Sequence, residues 1–372
     1  MASFTVEEIC LHRLQIPLNQ PFSTHLQTVD TRESIILEMI DTSGEIGLGE
    51  CVAFSSPWYT EETIQTCMDA LTNWLIPPLL NQTFHHPSEV LNKLQFVKGN
   101  RMAKATIDSA SWDLFAKKQE KPLWHVIGGV EKSVEAGIVL TGKVNDELFQ
   151  RVAKAADIGY KRVKIKIDRS TDPVAVKHLV QRFPNMLFYG DANGLFHELG
   201  IEQLLAFDEA KLTLIEQPFL EDDWDLHREA TKQMMTPIAL DESIRSVEDV
   251  ERMIAQRAGD IIVLKPGRVG GITPSLAIHT LAHQHQYPVW IGGMIELGIS
   301  KAHNLALATL PQVSLPGDFS ASDHFWEKDI VSPPIIVEHG AIQPTPGAGI
   351  GYTINDQQLT SYTITKKNFE SI

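Results

Sequence analysis

The sequence predicts an α/β protein, a closed barrel of parallel strands of the TIM type preceded by a smaller α+β domain. Three observations carry this. Down the middle of the chain, short apolar runs each end in a charged residue and then turn chemistry: Arg162-Val-Lys-Ile-Lys166, Leu187-Phe-Tyr-Gly-Asp191, Leu212-Thr-Leu-Ile-Glu216, Ile238-Ala-Leu-Asp241 and Ile261-Ile-Val-Leu-Lys265. The terminal charges recur about every 25 residues, enough for one strand and one crossover helix. The register extends upstream to 136–141 and downstream to 289–293 and 313–318, so eight candidate strands are present, the number of a closed parallel barrel. The first fifty residues lack this period and alternate apolar and polar, in the manner of antiparallel strands.

Taken in order, strands are expected over 5–18, 34–40 and 47–50, with Asp41-Thr-Ser-Gly44 turning between the second and third. Two loops, 19–24 and 54–59, carry Phe22, Phe54 and Trp58 where plain connectors are polar. Packing under a turn and a substrate-facing role both account for them. From residue 60 the apolar spacing becomes helical, with an entry at Thr60-Glu-Glu-Thr63 and an Ala-rich helix over 103–118 that sets Trp112 and Phe115 on its inner stripe. These helices on a meander make an α+β domain over 1–125, followed by the barrel over 126–320. Beyond 318 the chain is rich in Pro and Gly. The segment 321–372 is expected to return to the first domain, with 335–337 as a late strand of the meander.

The 372 residues carry a formal charge of -15 and a pI near 5.4. Nucleic acid and anionic membrane both want a basic face, so neither is expected as a partner. Cys10, Cys51 and Cys67 are odd in number and have no CxxC spacing, which gives neither a zinc framework nor a disulfide scaffold. The amino terminus is acidic where a signal peptide is basic, and no apolar run approaches membrane-spanning length. A cytoplasmic protein acting on a small molecule is the expectation. Oligomeric state is not set by the sequence, and a homo-oligomer is one option it leaves.

In parallel barrels the reactive groups stand at the carboxyl ends of the strands. Asp191, Glu216 and Asp241 end three successive strands, so their carboxylates should be neighbours, and left alone they would repel. Three oxygen ligands with open positions suit a hard divalent cation, magnesium or an equivalent such as manganese. Zinc fits poorly, because no His or Cys sits at an equivalent strand end. Lys164 and Lys166 alternate with Val163, Ile165 and Ile167, so both amines point one way. Lys265 lies four strands on, across the barrel. A base on each side with a cation between is an arrangement for removing a proton from carbon. A metal-held carboxylate has weakly acidic α-hydrogens, and loss of one leaves an ene-diolate that the cation and nearby ammonium groups stabilise. The paired lysines and the cation should each depress lysine pKa. The competing reading is a catalytically silent metal-binding scaffold ringed by ion pairs. Three desolvated amines have no use there.

The residues also carry a resemblance. Lys-Ile-Lys at 164–166, Asp-Ala-Asn at 191–193, Glu-Gln-Pro at 216–218, Asp-Glu-Ser at 241–243 and Lys-Pro at 265–266 resemble the enolase superfamily, in its muconate-lactonizing subgroup. In that superfamily a lysine or histidine base works with magnesium on an ene-diolate, so this chemistry accompanies the resemblance. The longer stretches 56–63, 99–104, 265–271, 292–296 and 316–323 are similar to the Bacillus-type o-succinylbenzoate synthases, a group that also contains N-succinylamino acid racemases. The resemblance covers essentially the whole chain. It implies a modified (β/α)7β barrel with a capping domain built from both termini, and dehydration of a succinyl-hydroxycyclohexadiene carboxylate to 2-succinylbenzoate in menaquinone synthesis. By carry-over, Lys166 removes the α-proton and protonates the leaving hydroxyl, Lys164 supports it, and Lys265 stabilises the anion from the opposite face. The racemase alternative uses Lys166 and Lys265 as opposed bases. The expected substrate-binding set is Phe22, Phe54 and Trp58 from the capping loops, Gly293, Met294 and Ile295 from the barrel side, and Asn193 and Arg268, the last able to tune Lys265. Where the group is expected to read Gly-Gly-Met-Leu-Glu-Thr, this chain has Gly-Gly-Met-Ile-Glu-Leu297.

Overall fold

The computed structural model describes residues 2–24 and 27–370. Strands Phe4–Ser23, Thr28–Asp41 and Ile46–Cys51 form an antiparallel meander. Its outer edge is covered by the last strand, Thr363–Glu370, antiparallel to the first. The tail therefore reaches the meander through 363–370 and not through 335–337, which forms no strand. Pro333 and Pro334 lack the N–H groups a ladder needs, and the Ile335 N–H is spent on the Ser322 hydroxyl at 3.1 Å. Helix Arg101–Lys118 lies across one face of this sheet. Gly49 permits the approach, since a Cβ there would stand 2.0 Å from the Thr106 carbonyl. Thr63 caps the preceding helix, Ile64–Ala70, in a reciprocal box with Thr66.

The second sheet has seven parallel strands in sequence order: Gly137–Leu140, Arg162–Lys166, Leu187–Asp191, Leu214–Glu216, Ile238–Leu240, Ile261–Leu264 and Val289–Ile291. A helix follows each one, from Asp146–Ile158 after the first to Gly298–Ala308 after the seventh. The eighth candidate, 313–318, is no regular strand. It closes the barrel by single bridges, Val313 to Val289 and Gly317 to Ala136. Pro316 has no donor for a ladder, and Gly317 passes so close to the seventh strand that a Cβ would lie 2.5 Å from the Ile291 carbonyl.

Alternation along the strands sorts the side chains. Val163 and Ile165 face outward into the main core under the helices. Tyr189, Leu214, Ala239, Ile261, Val263 and Trp290 fill the barrel interior. Tyr189 and Trp290 pack with ring centroids 5.5 Å apart and make a floor. Above it the interior becomes polar. No helix among the described residues is long and apolar enough to cross a membrane.

Candidate active site

The second barrel strand places a column of cations on its inward face. Arg162 is lowest and fully buried, its guanidinium 4.8 Å from the Tyr189 ring centroid and 5.4 Å from that of Trp290. Lys164 comes next, its ammonium 3.0 Å from Asp318, 3.2 Å from Glu216 and 3.6 Å from Asp191. Burial opposes its charge, but Asp318, Glu216 and Asp191 outweigh burial and hold its pKa well above the ordinary lysine value. The expected depression by a neighbouring lysine is not found, because the nearest groups are carboxylates. Lys166, at the top of the column, donates to Asp191 Oδ2 at 2.7 Å and Asn193 Oδ1 at 2.6 Å. Asn193 adopts a left-handed φ of 42° and donates from Nδ2 to Glu242 Oε1 at 2.9 Å, which fixes the amide whose oxygen Lys166 uses.

Across the mouth, Lys265 Nζ donates to Asp241 Oδ2 at 2.8 Å and to the Tyr59 hydroxyl at 2.7 Å. Its pKa is also held well above the usual value, with burial opposing and Asp241 prevailing. Arg268 does not face the cleft as a substrate contact. It lies behind Asp241, donating from Nη1 to Asp241 Oδ1 at 2.7 Å and to the Tyr59 hydroxyl at 2.8 Å, and from Nε to the Ile244 carbonyl at 2.9 Å. Burial disfavours the Asp241 carboxylate, but Arg268 and Lys265 overcome it and hold Asp241 well below the carboxylate range. Gln217 ties this strand to the one before, accepting the Asp241 N–H at 2.9 Å and donating to the Ser243 hydroxyl at 2.8 Å.

These groups open into a cleft between the barrel mouth and the N-terminal loops. Lys164, Lys166, Asp191, Asn193 and Lys265 line it, together with Phe22, Phe54, Trp58, Gly293, Met294 and Ile295. Phe54 and Trp58 pack at a centroid distance of 4.5 Å to make an apolar wall. Arg32 joins that wall to the barrel, its guanidinium 4.3 Å from the Phe54 centroid and bonded to the Ala53, Val52 and Ile295 carbonyls. Arg162, Asp318, Tyr59, Arg32 and Lys301 also stand at the site and were not among the residues expected there. The alternation that singled out Lys164 and Lys166 extends directly to Arg162. Asp318 falls at the carboxyl end of the eighth segment, the position that marked the other charges. Tyr59 and Arg32 reach the site from outside the repeat, and Lys301 from the helix after the seventh strand, away from the strand ends that marked the other charges.

Asp191 and Glu216 are cross-strand partners, and Asp241 follows on the next strand. Among the described residues, the set of Cys, His and carboxylate side chains already gathered within 4.8 Å is Cys10, His12 and Glu38 in the N-terminal sheet. The carboxylates at the barrel mouth stand wider, with lysine ammonium groups among them. Glu216 is the most strained of the three. Burial, and then Asp191, push its pKa well up, and its Oε2 is buried without a hydrogen bond although the Lys164 ammonium is 3.2 Å away. A buried carboxylate with an open oxygen beside two more carboxylates fits a hard, oxygen-bound divalent cation.

Two family models match the chain: "Enolase C-terminal domain-like" over residues 147–358 and "Mandelate racemase / muconate lactonizing enzyme, N-terminal domain" over residues 7–128. The chain is 44% identical over 357 residues to an o-succinylbenzoate synthase of Bacillus subtilis, covering 96% of each. It is 37% identical over 347 residues to an N-succinylamino acid racemase of Thermus thermophilus, covering 93% of this chain and 94% of that protein. A solved enolase-superfamily structure from Listeria innocua superposes with a TM-score of 0.95 at 34% identity, covering 99% of both chains.

Proposed function

The chain belongs to the mandelate racemase / muconate lactonizing enzyme family of the enolase superfamily, and on that premise we propose that it is an o-succinylbenzoate synthase. The observation that carries the reading is the placement of Lys166 and Lys265 in one cleft, from the second and sixth strands, with the strands that end in Asp191, Glu216 and Asp241 between theirs. Asp191, Glu216 and Asp241 would hold the cation, magnesium or a substitute such as manganese. When bound, it supplies Lewis-acid stabilisation of negative charge on the substrate carboxylate. Lys166, as free amine, takes the α-proton. The C–H electron pair becomes a ring double bond, and the hydroxyl on the β-carbon leaves with the proton Lys166 returns, as water. Lys164 stays charged beside Asp318 and Glu216 and supports the growing negative charge. Lys265 does so from the far side. Phe54, Trp58, Met294 and Ile295 exclude water from the ring face, and Arg268 and Tyr59 position Asp241 and Lys265.

A second reading, racemisation of N-succinylamino acids, is favoured by the same pair of lysines, each able to exchange a proton on its own face. Both lysines pair with a carboxylate, but Lys265 is buried against Asp241 whereas Lys166 is 21% exposed at the cleft, which weighs toward the dehydration, where Lys265 is needed only as an ammonium. The units that serve this chemistry are a cap (1–125), a barrel (126–320) and a returning tail (321–372). Menaquinone synthesis is the corresponding place in metabolism. A cytoplasmic location agrees with three buried free cysteines.

Metal dependence tests the reading. Purified protein with magnesium should convert the cyclohexadiene carboxylate to aromatic product, excess chelator should stop the reaction, and added magnesium should restore it. Full turnover in chelator would contradict the assignment.

A further inference from the structure

One cation of the cleft is unlike the others. Lys164, Lys166 and Lys265 each stand 3.0 Å or less from a carboxylate oxygen. Lys301, in the first turn of helix Gly298–Ala308, also lines the cleft and is only 1% exposed, yet it forms no ion pair among the described residues. Its ammonium donates one hydrogen bond, to the Ser320 carbonyl at 3.1 Å, and lies 5.9 Å from the Phe325 ring centroid. His324, close by on the same wall, is pushed down to about 4, by burial first and by Lys301 second, so it adds no second charge at neutral pH. A buried ammonium with two of its three protons unpaired is costly unless an anion arrives to meet it. Its place among Phe22, Ser320, His324 and Phe325 is distinct from the carboxylate cluster that would hold the reacting end of the substrate.

We propose that Lys301 anchors the distal carboxylate of a substrate whose two acid groups are joined by a short apolar linker. This rests on the functional reading above and deepens it: one carboxylate is activated at the cluster and the other is fixed at Lys301, which sets the register of the α-carbon under Lys166.

The test compares two ligands that differ only at the far end, 2-succinylbenzoate and 2-butanoylbenzoate, by calorimetry on the magnesium-loaded protein. The wild type should prefer the succinyl compound by about 30-fold or more. Lys301→Met and Lys301→Gln should each remove most of that preference while changing butanoyl affinity by less than about threefold, and Lys301→Arg should keep most of it. In turnover the loss should fall mainly on KM. Equal weakening of both ligands, or an unchanged preference in the folded Met and Gln variants, would overturn the role of Lys301 while leaving the synthase reading intact. A wild type that neither binds 2-succinylbenzoate nor turns over would overturn both.

Discussion

Lys166 and Lys265 have similar surroundings by type and different ones by degree. Lys166 leans on Asp191 and the Asn193 amide with its end in the cleft, whereas Lys265 is gripped by Asp241 and Tyr59. The proposed roles, Lys166 as the base and Lys265 as the charge opposite it, rest on that asymmetry. Away from the site, single buried groups set how the protein meets acid. His227 is fully buried with neither ring nitrogen hydrogen-bonded, and burial pushes its pKa down to about 4 from an ordinary 6.5. Its folded pKa lies below its unfolded one, so its contribution to stability is whole above pH 6.5 and is lost as pH falls toward 4. Between pH 7 and pH 5 this amounts to about 2 kcal/mol. Urea denaturation at the two pH values should show a wild-type loss smaller by about that amount in His227→Phe, which keeps the ring packed 5.3 Å from Phe219. An identical loss in both proteins would contradict it.

At the level of the element, the period of about 25 residues made the barrel legible, because each βα unit repeats one apolar run and one terminal charge. What did not show is where the repeat is broken by backbone chemistry. The eighth segment closes through Val313 and Gly317 instead of pairing as a strand, and the tail's sheet strand lies at 363–370, beyond the Pro- and Gly-rich stretch, and not at 335–337. Close packing of elements was equally silent in the sequence. Gly49 reads as a loosening residue in a strand, yet it is where helix Arg101–Lys118 touches the meander. Gly49→Val should therefore destabilise the protein by about 3 kcal/mol, seen as a lowered denaturation midpoint, because the clash is with the Thr106 backbone and not a flexible side chain. A change within about 0.5 kcal/mol would show that the helix can retreat freely.

For the molecule as a whole, the cap and the barrel meet through buried polar groups that the local sequence could not pair. Glu50 of the meander accepts the Leu297 and Ser300 N–H groups at 2.8 and 2.7 Å, and so fixes the start of the helix that carries Lys301. Arg32 holds the Ile295 carbonyl and stacks on Phe54, so the apolar wall moves with the barrel loop. The carboxylates and lysines at the strand ends were readable because each sits at a fixed place in a repeat. Arg32 and Glu50 were not, since contacts between distant segments leave no period, and Lys301 was not, because it lies on a helix and not at a strand end. The whole account depends on an amine at position 166 meeting an acidic C–H beside a carboxylate-held cation. The most direct measurement is the rate of 2-succinylbenzoate formation by Lys166→Ala, on protein whose circular dichroism and magnesium binding match the wild type. The account predicts a fall of about a thousandfold or more; turnover undiminished in that variant would contradict it.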